Sequence, residues 1–281
     1  MGSYRYVVCD VFTDTPLEGN QLAVFTDARG LSEELLQPLA RELKFSETVF
    51  VYPASADAHV RIRIFTPAAE IPFAGHPTLG TAFVLGGPLQ LGEIRIETGV
   101  GVIPVTLERE GARIVFGRMS QPVPSVQPFD DAQSVLDALG VERSELPIEL
   151  YDNGLRHVYV CLPSPADVSA LKPDYPRLAE RGPMLLVSTI AGAGTAWKTR
   201  MFAPGGGVPE DPATGSAAGP LCVHLVRHGL VPPGEEIEIT QGVELDRPSK
   251  LYARVDGTPE KIERVEVGGS AVIVARGEFR L

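Results

Sequence analysis

Two stretches of this chain repeat one pattern: RIFTPAAEIPFAGHPTLGTA at residues 63–82 and RMFAPGGGVPEDPATGSA at residues 200–217. Each copy reads as a strand, a turn rich in Pro and Gly, a polar residue followed by Pro, and then a helix of small and apolar residues. A repeat at half the chain length predicts a duplicated domain. Because the copies differ at His76 and Asp211, these two residues are the first candidates for chemistry.

The rest of the chain is mostly short alternating strands with few helices, which indicates an α+β fold. We expect two pseudo-symmetric domains, each a curved, mostly antiparallel sheet or barrel around one central helix. The first domain covers 1–120, the second covers 129–268, and 121–128, with three prolines, is expected to be the linker. The last strand, within 270–281, has no evident counterpart in the first half and is expected to complete the first domain.

The two motif helices, 73–85 and 213–226, carry almost no charge. A helix that is apolar on all sides is buried rather than laid on a surface. We expect His76 and Asp211 to be the helix caps, each followed by a Pro at the first helical position. In a symmetric duplication both helix ends would face one cleft between the domains. A further strand is expected at 184–187.

The small residues at those helix N-termini suggest a binding site for a carboxylate. Free backbone N–H groups and the helix dipole attract an anion, and small side chains let it approach closely. Asp211 has two interpretations, since Asp is a good cap as well as a catalytic candidate. The glycines in this region are explained equally well by tight packing.

Glu47 is the second catalytic candidate, because it lies between Phe45 and Val49 just before an apolar strand. Burial there would raise its pKa toward the range useful for proton transfer. The alternative is an exposed Glu at the start of a strand. Asn20, beside Gly19, is a candidate for binding a substrate carboxylate or for making a turn.

Composition excludes several functions. The formal net charge of −11 argues against nucleic acid or an anionic membrane as partner. No secretory signal or membrane-spanning run is visible, and the three separate cysteines are expected to be buried thiols, so we expect a cytoplasmic protein. No nucleotide motif or zinc spacing is present, so no cofactor or metal is indicated. His224 and His228 lack the Glu of a metalloprotease helix and are expected to end the second helix.

Five motifs, taken together and in chain order, closely resemble the PhzF-like phenazine-biosynthesis isomerase family. They are DVF at 10–12, GNQLAV at 19–24, SET at 46–48, GHPTLG at 75–80 and EDPATGSA at 210–217. The resemblance covers essentially the whole chain. It implies a diaminopimelate-epimerase-like fold, a homodimer, and no cofactor.

The resemblance also implies roles for particular residues. Glu47 would move a proton across the ring of trans-2,3-dihydro-3-hydroxyanthranilate, with His76 and Asp211 lining the site and assisting. The expected substrate-binding residues, from the motifs and from the helix ends, are Asn20, Ser46, Gly75, Thr78, Thr214, Gly215 and Ser216.

Cysteine usage separates this chain from other enzymes of that fold. Diaminopimelate epimerase and proline racemase use a pair of thiols at the N-termini of their two central helices. The matching stretches here, 73–76 and 210–213, contain no Cys. Two-thiol racemisation is therefore excluded, and proton transfer must rest on Glu47, relayed by His76 or Asp211.

The leading hypothesis is a cofactor-independent isomerase that moves a proton between carbons of a small carboxylate. Two alternatives remain open. The chain is an isomerase or lyase of the same fold that acts on an unrelated substrate, or it is a non-catalytic ligand-binding or scaffold protein.

Overall fold

The computed structural model describes residues 2–55, 57–183 and 185–281. The chain divides into two compact units. The first unit takes the described residues up to Ser120 together with Gly268–Leu281, and the second unit takes Gln121–Val267.

The described residues form strands and helices in an α+β arrangement, as the sequence predicts. The strands, in chain order, are β1 Ser3–Val11, β2 Asn20–Phe25, β3 Glu47–Tyr52, β4 Val60–Phe65, β5 Glu70–Ile71, β6 Glu93–Thr98, β7 Gly101–Glu110, β8 Arg113–Gln121, β9 Ser125–Pro128, β10 Glu149–Asp152, β11 Arg156–Cys161, β12 Leu185–Ala193, β13 Ala196–Ala203, β14 Val208–Asp211, β15 Glu236–Gln241, β16 Ser249–Gly257, β17 Ile262–Gly269 and β18 Ala271–Arg280. The helices are α1 Glu33–Leu43, α2 Gly75–Leu89, α3 Ala132–Leu139, α4 Pro165–Ala170, α5 Tyr175–Ala179 and α6 Gly215–Arg227. The strand expected at 184–187 is β12, and Met184 lies outside the described residues.

The first unit contains one run of neighbouring strands: β18, β1, β2, β3, β4, β6, β7 and β8. Neighbours in this run are antiparallel, except that β2 is parallel to β3 and β4 is parallel to β6. Short β5 adds to β4. Helix α2 contacts β1, β2, β3, β6, β7 and β18, so it lies inside the curve of its own sheet.

The second unit repeats this order. Its neighbouring strands are β9, β10, β11, β12, β13, β15 and β16, with β14 added to β13. The parallel pairs β11–β12 and β13–β15 stand at the places of β2–β3 and β4–β6. Helix α6 contacts β11 and β16. The expected pseudo-symmetric duplication is confirmed in this shared order of strands.

The segment expected to be a linker, 121–128, is instead largely strand. Residues 125–128 are β9, which pairs antiparallel with β10 in the second unit. Prolines suggested an unpaired connection, but a strand with one unpaired side tolerates residues that lack an N–H. Strand β18 pairs with β1 in the same way that β9 pairs with β10. The last strand therefore does have a counterpart, namely β9 of the second unit.

Both central helices are buried as predicted. In α2 every residue from Gly75 to Val84 is buried, and in α6 every residue from Gly215 to Val226 is buried. Their starts differ from the prediction, because the N-cap residues are Ala74 and Thr214. Pro77 is therefore the third residue of α2, a position where the N–H has no partner inside the helix and its loss costs little.

We predict that Gly80→Ala destabilises the first unit, because a Cβ there would lie 2.6 Å from Leu22 Cδ2 and 2.7 Å from Val11 Cγ2. Overpacking of a core costs about 1–3 kcal/mol, which exceeds the helix propensity gained over Gly. The measurement is the free energy of unfolding from urea titration.

Gly87→Ala is the matched control in the same helix. A Cβ at Gly87 would meet no atom within 4 Å in the described part of the chain. It should leave stability unchanged or raise it by up to about 1 kcal/mol. Equal effects of the two substitutions would contradict the packing of α2 against β1 and β2.

Candidate active site

The first group of candidate residues forms where two parallel strands begin. Asn20 is the first residue of β2 and Glu47 is the first residue of β3, and the register pairs Leu22 with Glu47. Parallel neighbours start at the same edge of a sheet, so both side chains belong to that edge. The N-terminus of α2 brings His76 to them.

Gly19 shapes the entry into β2. Its φ is +66°, and a Cβ on it would lie 2.4 Å from the carbonyl oxygen of Val11. Only Gly accepts this left-handed conformation without strain and also fits the space. The Gly-Asn pair in the motif therefore has a local reason: Gly19 makes the turn, and Asn20 follows it into the buried edge.

The His76 imidazole lies between Asn20 and Glu47. Its Nδ1 is 3.2 Å from Asn20 Nδ2, and its Nε2 is 3.4 Å from Glu47 Oε2. The His76 side chain is 3% exposed, whereas that of Glu47 is 14% exposed. The carboxylate is therefore the member of the group that solvent or a small ligand reaches.

Burial makes His76 a neutral residue. Desolvation of the imidazolium lowers the pKa of His76 to about 3, and a hydrogen bond with the backbone of Gln21 opposes this only in part. His76 thus contributes hydrogen bonds and shape at neutral pH rather than a positive charge. Its contact with Glu47 is not an ion pair at that pH.

The other candidates of the first unit occupy different environments. Ser46 directly precedes Glu47 and is half-buried, while Gly75 is buried as the first residue of α2. Thr78 is fully buried, and its hydroxyl donates to the carbonyl of Ala74 at 2.8 Å. In this structure the Thr78 hydroxyl serves the helix itself.

The second group lies at the start of α6. The expectation that Asp211 caps this helix is wrong, because Asp211 is the last residue of β14 and Thr214 is the N-cap. The Asp211 carboxylate instead accepts a hydrogen bond of 2.6 Å from the Thr214 hydroxyl. Asp211 is 4% exposed, so it is a buried carboxylate where β14 meets the loop before α6, and it is not a helix cap.

Gln241, at the end of β15, holds this loop in place. Its Oε1 accepts from the backbone N–H of Thr214 at 3.0 Å. Its Nε2 donates to the carbonyl of Asp211 at 2.8 Å and to the Thr214 hydroxyl at 3.0 Å. Gln241 was not predicted from the sequence, because it stands 30 residues after Asp211 and belongs to no local motif.

The first turn of α6 is fixed by side chains that bind its carbonyls. Gln121 donates to Gly215 at 2.8 Å, Asn153 to Ser216 at 3.0 Å, and Tyr159 to Ala217 at 2.7 Å. Pro220 explains the second of these bonds, because it has no N–H for the carbonyl four residues earlier. Asn153 supplies that missing donor to Ser216.

The two units differ at the position of Glu47. Phe50 pairs with Arg63 of the first repeat copy, and Thr189 pairs with Arg200 of the second. Counting back three residues in each strand, Glu47 corresponds to Leu186. The second unit therefore has an apolar residue where the first has its carboxylate, and the acid is not duplicated.

His157 has an unusual environment in β11. It is 0% exposed, and neither ring nitrogen has a hydrogen-bond partner within the described residues. Burial lowers the pKa of His157 to about 3. The structure therefore places His157 in the interior of the second unit. The three cysteines are likewise buried, as predicted, and are free thiols.

Comparisons with known proteins identify the family of this chain. Residues 9–277 match the family model described as phenazine biosynthesis-like protein, PhzC-PhzF. The trans-2,3-dihydro-3-hydroxyanthranilate isomerase of Pseudomonas aeruginosa is 49% identical over 278 residues, which cover 99% of this chain and 100% of that protein.

Solved structures give the same result for the fold. The PhzF-family phenazine biosynthesis protein of Bacillus anthracis has a TM-score of 0.86 at 26% identity, and the match covers 100% of both chains. A hydroxyproline epimerase of Agrobacterium vitis has a TM-score of 0.67 at 13% identity over 99% of this chain and 91% of that one, a likeness of fold alone. The fold expected from the sequence is thereby confirmed.

Within the described residues, none of the helices combines the length and the apolar character that a membrane crossing needs.

We predict that Gln241→Met destabilises the second unit by at least about 2 kcal/mol. The substitution removes the partner that Gln241 gives to the Thr214 N–H and to the Asp211 carbonyl, and each buried polar group that loses its partner costs about 1–3 kcal/mol. Urea unfolding measures the change. Gln133→Met is the control, because Gln133 is exposed on α3 and its side chain donates to Asp137 in an exposed contact. It should change stability by less than about 0.5 kcal/mol.

We predict that His157 lowers stability in acid. The unfolded chain protonates this residue near pH 6.5 and the folded chain only near pH 3, so the stability that neutral His157 contributes is lost as the pH falls below 6.5. Each pH unit in that window costs about 1.4 kcal/mol. Between pH 7 and about pH 5, the unchanged chain should lose about 2 kcal/mol more of its unfolding free energy than the His157→Phe variant loses. A His157→Phe variant with undiminished acid sensitivity would refute the assignment.

Proposed function

The chain belongs to the phenazine biosynthesis-like protein family and is an isomerase, and from this premise we propose that Glu47 is its proton-transferring acid and base. The carboxylate takes a proton from one carbon of a small carboxylate substrate. The C–H electron pair moves into the conjugated system, and the carboxylic acid returns the proton to a different carbon. No oxidation state changes, so the step requires no redox cofactor.

The contact between Glu47 Oε2 and His76 Nε2 at 3.4 Å is the observation that carries this proposal. It joins the more accessible carboxylate to a buried neutral imidazole, whose other nitrogen faces Asn20. A general base must be held in one orientation and still reach its substrate. Glu47 meets both conditions, because its strand start and His76 fix it while part of its side chain stays exposed.

We assign His76 and Asn20 to positioning Glu47 and the substrate. His76 remains neutral because of its burial, so its Nε2 lies 3.4 Å from the Glu47 carboxylate without adding a positive charge. In the proposed reaction Asp211 is a second catalytic residue. Two observations support this role for Asp211. Its carboxylate is buried, and Thr214 and Gln241 form hydrogen bonds that hold Asp211 in place.

We further propose that backbone N–H groups at the N-terminus of α2 or of α6 bind the substrate carboxylate. Among the described residues, neither N-cap residue of α2 or α6 makes a side-chain capping bond. Early helical N–H groups lack partners inside the helix and carry partial positive charge. The substrate class is that of trans-2,3-dihydro-3-hydroxyanthranilate, on which the Pseudomonas aeruginosa relative acts by its name.

We predict that Glu47→Gln abolishes turnover of trans-2,3-dihydro-3-hydroxyanthranilate. General acid–base catalysis contributes about 10²–10⁴-fold, so kcat should fall by at least that factor. NMR in heavy water follows deuterium entry at the substrate carbons, and absorbance follows isomerisation. The amide keeps the shape of the side chain, but it is uncharged and cannot take up a proton.

Glu42→Gln is the matched control, since Glu42 is an exposed Glu on α1 of the same unit. It should turn over substrate like the unchanged chain. Deuterium exchange that persists in Glu47→Gln would overturn the role of Glu47. An unchanged chain that binds this substrate without turning it over would instead favour an isomerase or lyase with a different substrate.

A further inference from the structure

A second cluster of polar side chains lies in the second unit, away from Asp211 and its loop. It contains His224 and His228, one turn apart at the C-terminal end of α6, and Glu149 at the start of β10. Residues four apart on a helix share one face, so both imidazoles point toward the same strand. Tyr151, two residues along β10, completes the group.

The donor atoms of this cluster converge on one carboxylate oxygen. Glu149 Oε2 is 2.9 Å from His228 Nε2 and 3.9 Å from His224 Nδ1. The Tyr151 hydroxyl is 2.9 Å from that oxygen and 2.9 Å from His224 Nδ1. One ligand atom from each of Glu149, His224 and His228 lies within 4.8 Å of the others.

The other carboxylate oxygen is held from outside the cluster. Arg227 Nη2 is 3.3 Å from Glu149 Oε1, so the guanidinium orients the carboxylate and leaves Oε2 directed at the two imidazoles. Carboxylates that bind metals are commonly held in this way by a further hydrogen bond. His224 is 0% exposed, whereas the side chains of Glu149 and His228 are each 21% exposed, so the cluster has a buried side and a side open to solvent.

These distances fit a small divalent ion. Zn²⁺ binds imidazole nitrogen at about 2.0–2.1 Å and carboxylate oxygen at about 2.0–2.2 Å, so the ligand atoms of a tetrahedral site lie about 3.3–3.4 Å apart. The contacts of 2.9 Å and 3.9 Å bracket this value. Two imidazoles and one carboxylate suit zinc and its transition-metal neighbours, whereas Mg²⁺ and Ca²⁺ prefer oxygen ligands.

We propose that Glu149, His224 and His228 bind one zinc-class divalent transition-metal ion, with the Tyr151 hydroxyl beside it and solvent on the open side. The ion joins β10 to the C-terminal end of α6. This site is separate from the proton-transfer residues, and its existence does not depend on the proposed function. An ion that binds only the folded chain also raises the melting temperature as its concentration exceeds the Kd.

The test uses the full chain, first dialysed against a chelator and then titrated with ZnCl₂ by calorimetry. We expect one ion per chain, a rise in Tm with added Zn²⁺, and visible absorption of tetrahedral Co²⁺ when CoCl₂ replaces zinc. Glu149→Gln and His228→Ala each remove one ligand. Loss of a residue that only hydrogen-bonds to a metal ligand lowers metal affinity by about 10–100-fold. Loss of a ligand itself should lower the Zn²⁺ affinity by more than this.

His59→Ala is the control for zinc binding by any surface imidazole, because His59 is exposed in the first unit. It should keep the single site and its affinity. The proposal is overturned by a chain that binds no ion, by weak binding of several ions that all variants share, or by unchanged affinity in Glu149→Gln and His228→Ala. Circular dichroism checks the fold of each variant, and His228→Gln replaces His228→Ala where the latter does not fold. The Co²⁺ spectrum of the unchanged chain tests the site independently of both.

Discussion

Burial of two helices that are apolar on every side is the constraint on which each unit depends. Such a helix gains stability only when strands surround it, and burying each large apolar side chain contributes about 1.5–3 kcal/mol. Enclosure also takes the helix N-terminus out of water, where its N–H groups and the carbonyls of its first turn need partners. Polar side chains therefore gather at these two ends for reasons of stability, and the same gathering creates places where chemistry is possible.

The two ends meet this requirement with different residues. At α2 the polar neighbours are His76, Asn20 and Glu47, and at α6 they are Thr214, Gln241 and the side chains that bind the first-turn carbonyls. The order of strands is shared, but Leu186 stands at the position that corresponds to Glu47. A duplicated frame thus supports an asymmetric set of functional groups. A mechanism that uses one carboxylate from each unit would require an acidic residue at both corresponding positions. Leu186 is apolar, so this position of the second unit cannot supply the second carboxylate.

The sequence predicted the repeat, the buried helices and the α+β class, because each depends on local patterns that survive in one chain. The residues at which the two central helices begin were harder to predict from the sequence. The rule that Pro favours the first helical position placed the start of α2 at Pro77, yet Pro is also tolerated at the third position, where it stands here. At α6 the hydrogen bonds of Thr214 with Asp211 and Gln241 hold the chain in a loop until Gly215. Gln241 and Asn153 had no signal in the sequence, since their partners are distant in the chain. Strand β9 was not predicted, because a strand is usually recognised by alternating apolar residues and a Pro within a run counts against one. The three prolines of 121–128 therefore indicated a linker.

The neutrality of His76 narrows the ways in which an acidic chain can attract an anion. With a net charge of −11 the chain repels a carboxylate at long range, so a local positive potential is needed. A protonated histidine would be the simplest source beside Glu47, but burial keeps the pKa of His76 near 3. The partial charges of the helix N-termini do not titrate, and their effect is larger inside the protein, where the effective dielectric constant is lower than in water. In the proposed reaction, binding by backbone N–H groups therefore suits a substrate carboxylate better than binding by histidine, because it leaves Glu47 beside a neutral partner.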